Sequence, residues 1–102
     1  MKKIINGQRW DTEKATLVCD IFEGAVGDFR HFKAELYQTL RSKRFFLAGS
    51  GGPMTVFAHR CADGSTSGGS DIIPLSTEDA RRYAEKYAST EIVEKFFEVE
   101  EA

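Results

Sequence analysis

Apolar positions along this chain come in short runs separated by glycine-, serine- and charge-rich stretches. The first run, Lys2-Lys3-Ile4-Ile5, is joined to Gln8-Arg9-Trp10 by Asn6-Gly7, and the pair reads as a hairpin. Asn-Gly supplies the two positive-φ residues of a type I′ turn. Asp11 or Thr12 then caps a short helical turn, with Glu13 ahead of Lys14 as the helix dipole prefers. Thr16–Phe22 is β-rich and reads as a strand, followed by a loop over Glu23–Asp28. Phe29–Leu40 fits two periods. Phe29, Phe32, Leu36 and Leu40 make a helical stripe, whereas Phe32, Ala34 and Leu36 alternate with Glu35 and Tyr37 as on a strand. The aromatic run Arg44–Ala48 that follows favours the strand, making Lys33–Ala48 a second hairpin with Arg41-Ser42-Lys43 at its turn.

Gly49–Pro53 reads as a break in the sheet, with a helical turn starting at Pro53. Ala62–Ser70 reads as a mobile Gly/Ser loop. Asp71–Leu75 reads as an edge strand, because Pro74 has no N–H to donate to a ladder. Beyond it the period lengthens. Ser76 caps a helix whose face carries Ala80, Tyr83, Ala84 and Tyr87. Ser89-Thr90 caps a second, with Ile92, Val93, Phe96 and Phe97 as its stripe and an acidic tail behind it. The expected fold is α+β, a small antiparallel sheet of hairpins packed against C-terminal helices, in a single domain over residues 1–102.

Composition narrows the function without selecting it. A chain of 102 residues with 41% hydrophobic and 29% charged residues belongs to a single globular domain. No apolar run approaches the roughly 20 residues of a membrane span. The basic start lacks the apolar stretch of a signal peptide, so a cytoplasmic setting with free Cys19 and Cys61 is expected. Net charge is −2, against the basic excess usual in a free-standing nucleic-acid binder. The charge is also uneven. From Thr77 onward eight acids face four bases, leaving that end at −4 and the rest at +2.

Each candidate chemistry has a plainer competitor. Cys19, His31, His59 and Cys61 supply four zinc-type donors, yet only His59 and Cys61 are closely spaced, and no C-x₂-C pair is present. A Cys–His nucleophile on the same residues needs a proximity that spacing does not establish. Gly49-Ser50-Gly51-Gly52 lacks the Lys-Ser/Thr of a phosphate loop and reads better as a strand exit. Arg41, Lys43 and Arg44, beside Phe45, Phe46 and Tyr37, make a basic hairpin tip able to follow a nucleic-acid backbone and stack a base. The plainer reading is a soluble turn whose aromatics enter the core. No catalytic residues, metal ligands or cofactor are expected.

Five strings resemble, as a set, a family of small proteins carried on mobile elements and prophages of gut bacteria. They are Met1–Gly7, Trp10-Asp11-Thr12, Leu36–Thr39, Phe45–Thr55 and Ile72–Ser76. That family reads K-K-I-I-N-G-x-x-Y-D-T, then L-Y-x-T-x-x-G-x-F-F-L-x-G-x-G-G, then I-I-P-L-S ahead of a helix. The present chain departs from it with Trp10 for Tyr and with Arg41–Arg44 in place of a Gly-containing turn. The resemblance carries over no catalytic residues. By genomic setting it implies a counter-defence factor, such as an anti-CRISPR inhibitor. On this reading the partner is a host defence protein, most concretely a CRISPR effector subunit with a basic nucleic-acid channel. The contact residues are then Glu91, Glu94 and Glu98, spaced for one helical face, with Glu85 beside them. The alternative is a nucleic-acid-binding accessory protein that uses Arg41, Lys43 and Arg44.

Overall fold

The computed structural model describes residues 1–24 and 30–102. The end of the expected Glu23–Asp28 loop and Phe29 of the helical stripe lie outside the described residues. Asn6 (φ 51°) and Gly7 (φ 79°) turn the first hairpin, β1 (Lys2–Ile5) against β2 (Gln8–Asp11). A 3-10 turn over Thr12–Lys14 follows, and the Asp11 carboxylate accepts from the Glu13 amide at 3.0 Å.

The main sheet contains β3 (Ala15–Glu23), β4 (Phe32–Thr39), β5 (Phe45–Gly51) and β8 (Gly69–Leu75), all antiparallel, in the order β3-β4-β5-β8. A bulge at Val18 adds a residue to β3 and turns that side chain into the core. As Pro74 requires, β8 lies at an edge. The first hairpin is not part of this sheet; it is a two-stranded sheet of its own.

Both faces of β5 are covered, and that explains its sequence. Phe45, Phe46, Leu47 and Ala48 are all buried, a continuous apolar run where a half-buried strand would alternate. Phe45 and Leu47 join Ile21, Leu36, Ala80, Ala84 and Phe97 under the helices. Phe46 and Ala48 join Ile72 and Trp10 beneath the first hairpin. Trp10 meets Phe46 edge-on at 5.6 Å, and its buried indole N–H has no partner among the described residues.

The break expected at Gly49 does not occur: Gly49, Ser50 and Gly51 continue β5. A Cβ on Gly49 would lie 2.2 Å from the Lys33 carbonyl oxygen and 2.6 Å from Ala34 Cα, so glycine here lets two strands approach. No helix starts at Pro53. The amides of Thr55 and Ala58 donate to the carbonyls three residues back, giving successive turns. The expected loop over Ala62–Ser70 contains a second strand, β7 (Thr66–Ser67), paired with β6 (His59–Arg60), and the start of β8.

Helix α1 (Thr77–Tyr87) starts where Ser76 Oγ accepts from the Asp79 amide at 3.1 Å, and it buries Ala80 and Ala84 against the sheet. Helix α2 (Thr90–Phe96) is capped by Ser89 in the same way, at 3.3 Å. It ends because Phe97 leaves helical geometry (φ −133°, ψ 152°) and stacks on Phe45. No helix among the described residues is long and apolar enough to cross a membrane.

Candidate functional site

Of Glu91, Glu94 and Glu98, expected on one helical face, only the first two are on a helix. Glu85 is on α1, and Glu91 and Glu94 are on α2. Glu98 lies beyond the end of α2, since Phe97 has already turned the chain away. What brings these residues together is the junction of the two helices and the tail. Glu85 and Glu98 line a hollow of about 570 Å³ with Arg81, Val93, Val99 and Glu100. Glu85 and Glu94 line an adjoining hollow of about 170 Å³, again with Val93 and Val99. Glu91 is exposed on α2 and borders neither.

Two properties of this junction bear on what it could contact. Val99 is 59% exposed and Val93 half-buried, so valine side chains lie among the carboxylates and Arg81. Among the described residues, ion pairs join Lys3 to Asp71, Arg82 to Glu78 and Asp79, and Lys86 to Glu23. None uses Glu85, Glu91, Glu94 or Glu98. An arginine side chain matches such a surface, with its stem on the valines and its guanidinium between carboxylates.

The basic tip is built differently. Thr39 Oγ1 accepts from the Arg44 amide at 2.9 Å and lies 2.9 Å from Ser42 Oγ, which closes the turn. Lys43 takes the left-handed backbone (φ 56°), which a glycine would adopt without strain. Lys43 and Arg44 line a hollow of about 470 Å³ that also touches Gln8, Trp10 and Ser76. Arg44 donates to Gln8 Oε1 at 2.9 Å and so ties the turn to the first hairpin. Arg41 is exposed and lies outside that hollow. The aromatics expected to stack a base are not presented here. Phe45 and Phe46 are buried, and Tyr37 stacks on Phe46 at 5.3 Å.

The remaining candidates separate in space. Among the described residues no three His, Cys, Asp or Glu side chains are grouped to hold a metal ion. Cys19 is on β3 against the core, where burial and then the Asp20 carboxylate push its thiol up to about 11. His31 packs edge-on against Phe22 at 5.0 Å, with Nδ1 3.4 Å from the Gly24 carbonyl oxygen. The Gly52 amide donates to the His31 carbonyl at 2.8 Å, so it is not a free phosphate donor. His59 and Cys61 do meet, through Ser67, a residue the sequence did not single out. No protein-family model, curated protein or solved structure matches the chain.

Proposed function

We propose that this protein is a non-enzymatic inhibitor from a mobile element that binds a host defence protein, most concretely an anti-CRISPR protein blocking a CRISPR effector. The observation that carries this reading is the pair of adjoining hollows rimmed by Glu85, Glu94 and Glu98, whose carboxylates enter none of the ion pairs among the described residues. CRISPR effectors hold nucleic acid in positively charged channels. An acidic surface of this kind, with valines among its carboxylates, occupies such a channel by charge and shape. With a net charge of −2 the contact is local rather than a whole-molecule mimic of DNA.

The test is an affinity pull-down of the tagged protein from bacterial lysate expressing representative CRISPR complexes, treated with nuclease and read by mass spectrometry. The expected result is a stoichiometric effector subunit that survives nuclease. Recovery of nucleic acid alone, lost on nuclease treatment, rejects it and favours the alternative of an accessory protein that binds through Arg41, Lys43 and Arg44. That alternative rests on the hollow beside Lys43 and Arg44. With Phe45 and Phe46 buried it works through phosphate contacts, and its affinity falls steeply with salt.

A further inference from the structure

The small hairpin of β6 and β7 sets a thiol, a hydroxyl and an imidazole in series. His59 and Ser67 are partners in the β6–β7 register, and Ser67 Oγ lies 3.0 Å from His59 Nε2. Cys61 follows two residues after His59, and its Sγ is 3.3 Å from the same Ser67 oxygen. The backbone holds the thiol in this position. The Cys61 amide donates to the Ser65 carbonyl at 2.7 Å, and the Gly64 amide donates to the Cys61 carbonyl at 3.0 Å. Asp63 secures the same turn, its Oδ1 accepting from the Ser65 amide at 3.0 Å and hydroxyl at 2.6 Å. The imidazole is seated against a glycine: a Cβ on Gly69 would lie 2.9 Å from His59 Nδ1.

The thiol donates to Ser67 Oγ, and with His59 in the tautomer whose Nε2 is an acceptor the Ser67 hydroxyl donates to it. In that arrangement two short proton shifts along these bonds would leave a thiolate and an imidazolium. Ser67 then donates to sulfur and accepts from His59. No proton is gained or lost. Cys61 is half-buried and His59 exposed, so both ends of the relay are accessible. Hydrogen bonds from Ser67 and then Ser65 hold the Cys61 thiol below the ordinary cysteine range, the reverse of Cys19.

We propose that Cys61 is a modification site that undergoes thiol–disulfide exchange with low-molecular-weight disulfides of the glutathione type, activated by His59 through Ser67. The Cys61 thiolate attacks one sulfur of the disulfide, a new S–S bond forms and the old one breaks. The departing thiolate takes up the proton that His59 received. Cys61 and one sulfur of the reagent share the new bond, and the reagent's other half leaves as a reduced thiol.

The experiment treats the folded protein with glutathione disulfide and follows the mixed disulfide at each cysteine by peptide mass mapping. Cys61 is expected to react at least about tenfold faster than Cys19, and faster than the same cysteine in the urea-unfolded chain. Ser67→Ala and His59→Gln should each slow Cys61 severalfold. Ser67→Thr, which keeps the hydroxyl, should retain the rate and serves as the control for a variant that fails to fold. A Cys61 rate no greater than in the unfolded chain overturns the proposal, as do unchanged rates in folded Ser67→Ala and His59→Gln.

Discussion

Phe97 stacks on Phe45 with ring centroids 4.8 Å apart and planes 14° from parallel. This contact joins the residue that follows α2 to the inner strand β5, and it sets where the acidic tail begins. Phe97 is 7% exposed although α2 itself buries no residue completely, so the stack is a main anchor of this helix. Phe97→Ala should destabilise the protein by about 3–5 kcal/mol, the range for truncating a buried phenylalanine. Urea denaturation measures it. Because the same residue aims Glu98 into the hollow beside Glu85, partner binding should fall as well.

Gly49 gives a second expectation. A methyl group there would sit 2.2 Å from the Lys33 carbonyl oxygen and 2.8 Å from Ala34 Cβ, in a place where neither neighbour is a flexible side-chain end. Gly49→Ala should cost about 1–3 kcal/mol or more by forcing β4 and β5 apart. Thermal unfolding reads the loss, and amide exchange should rise first along the β4–β5 ladder.

Lys43 predicts a change of opposite sign. Its left-handed backbone is costly for a side chain bearing Cβ and cheap for glycine. Lys43→Gly should stabilise the fold by up to about 1 kcal/mol, seen as a raised denaturation midpoint. If the accessory nucleic-acid reading held, the same variant would weaken DNA or RNA binding at low salt.

The link between strand β3 and helix α1 is sensitive to acid. Lys86 Nζ donates to Glu23 at 2.7 Å and the Tyr87 hydroxyl donates to the same carboxylate oxygen. These bonds hold the Glu23 carboxyl below the ordinary glutamate range. A carboxyl with a lower pKa folded than unfolded binds fewer protons in the native state. Its contribution is therefore present above the unfolded value, about 4.3, and is lost as pH falls through the folded one. The Lys86 side chain is exposed, so the contribution is a minor share of the total. Asp71 adds to the same trend: its partial burial opposes the shift, and hydrogen bonds from Lys3 and the Ile72 amide outweigh it. Denaturation midpoints of wild type and Glu23→Gln should differ at neutral pH and converge as the carboxyl protonates.

Much of the architecture was legible because single residues dictated local geometry. Asn6-Gly7 announced a turn that needs two positive φ angles, and Ser76 and Ser89 announced helix starts. Pro74 announced an edge. The errors came where a tertiary neighbour decided. The glycines after Ala48 looked like a break, yet Gly49 is in the strand because Lys33 and Ala34 leave no room for a Cβ. The first hairpin was expected in the main sheet. Trp10 instead places it on the opposite face, over Phe46 and Ile72. Glu98 fitted the helical spacing of Glu91 and Glu94, but the stacking of Phe97 on Phe45 ends the helix before it. The approach of Cys61 to His59 depends on Ser67, eight residues from His59 in sequence and paired with it across two-residue strands too short to show a period.

The central claim is that the carboxylates around Val93 and Val99 form the contact face. The most direct measurement is the affinity of purified wild-type protein and of Glu85→Lys/Glu94→Lys/Glu98→Lys for the effector recovered in the pull-down, at one fixed salt concentration. Thermal unfolding of both proteins is measured alongside. All three side chains are exposed and outside the ion pairs among the described residues, so the variant should unfold at the wild-type temperature. The account predicts at least about a tenfold loss of affinity, about 1.4 kcal/mol of binding free energy. Equal affinity in a folded triple variant would contradict it and move the contact to another surface.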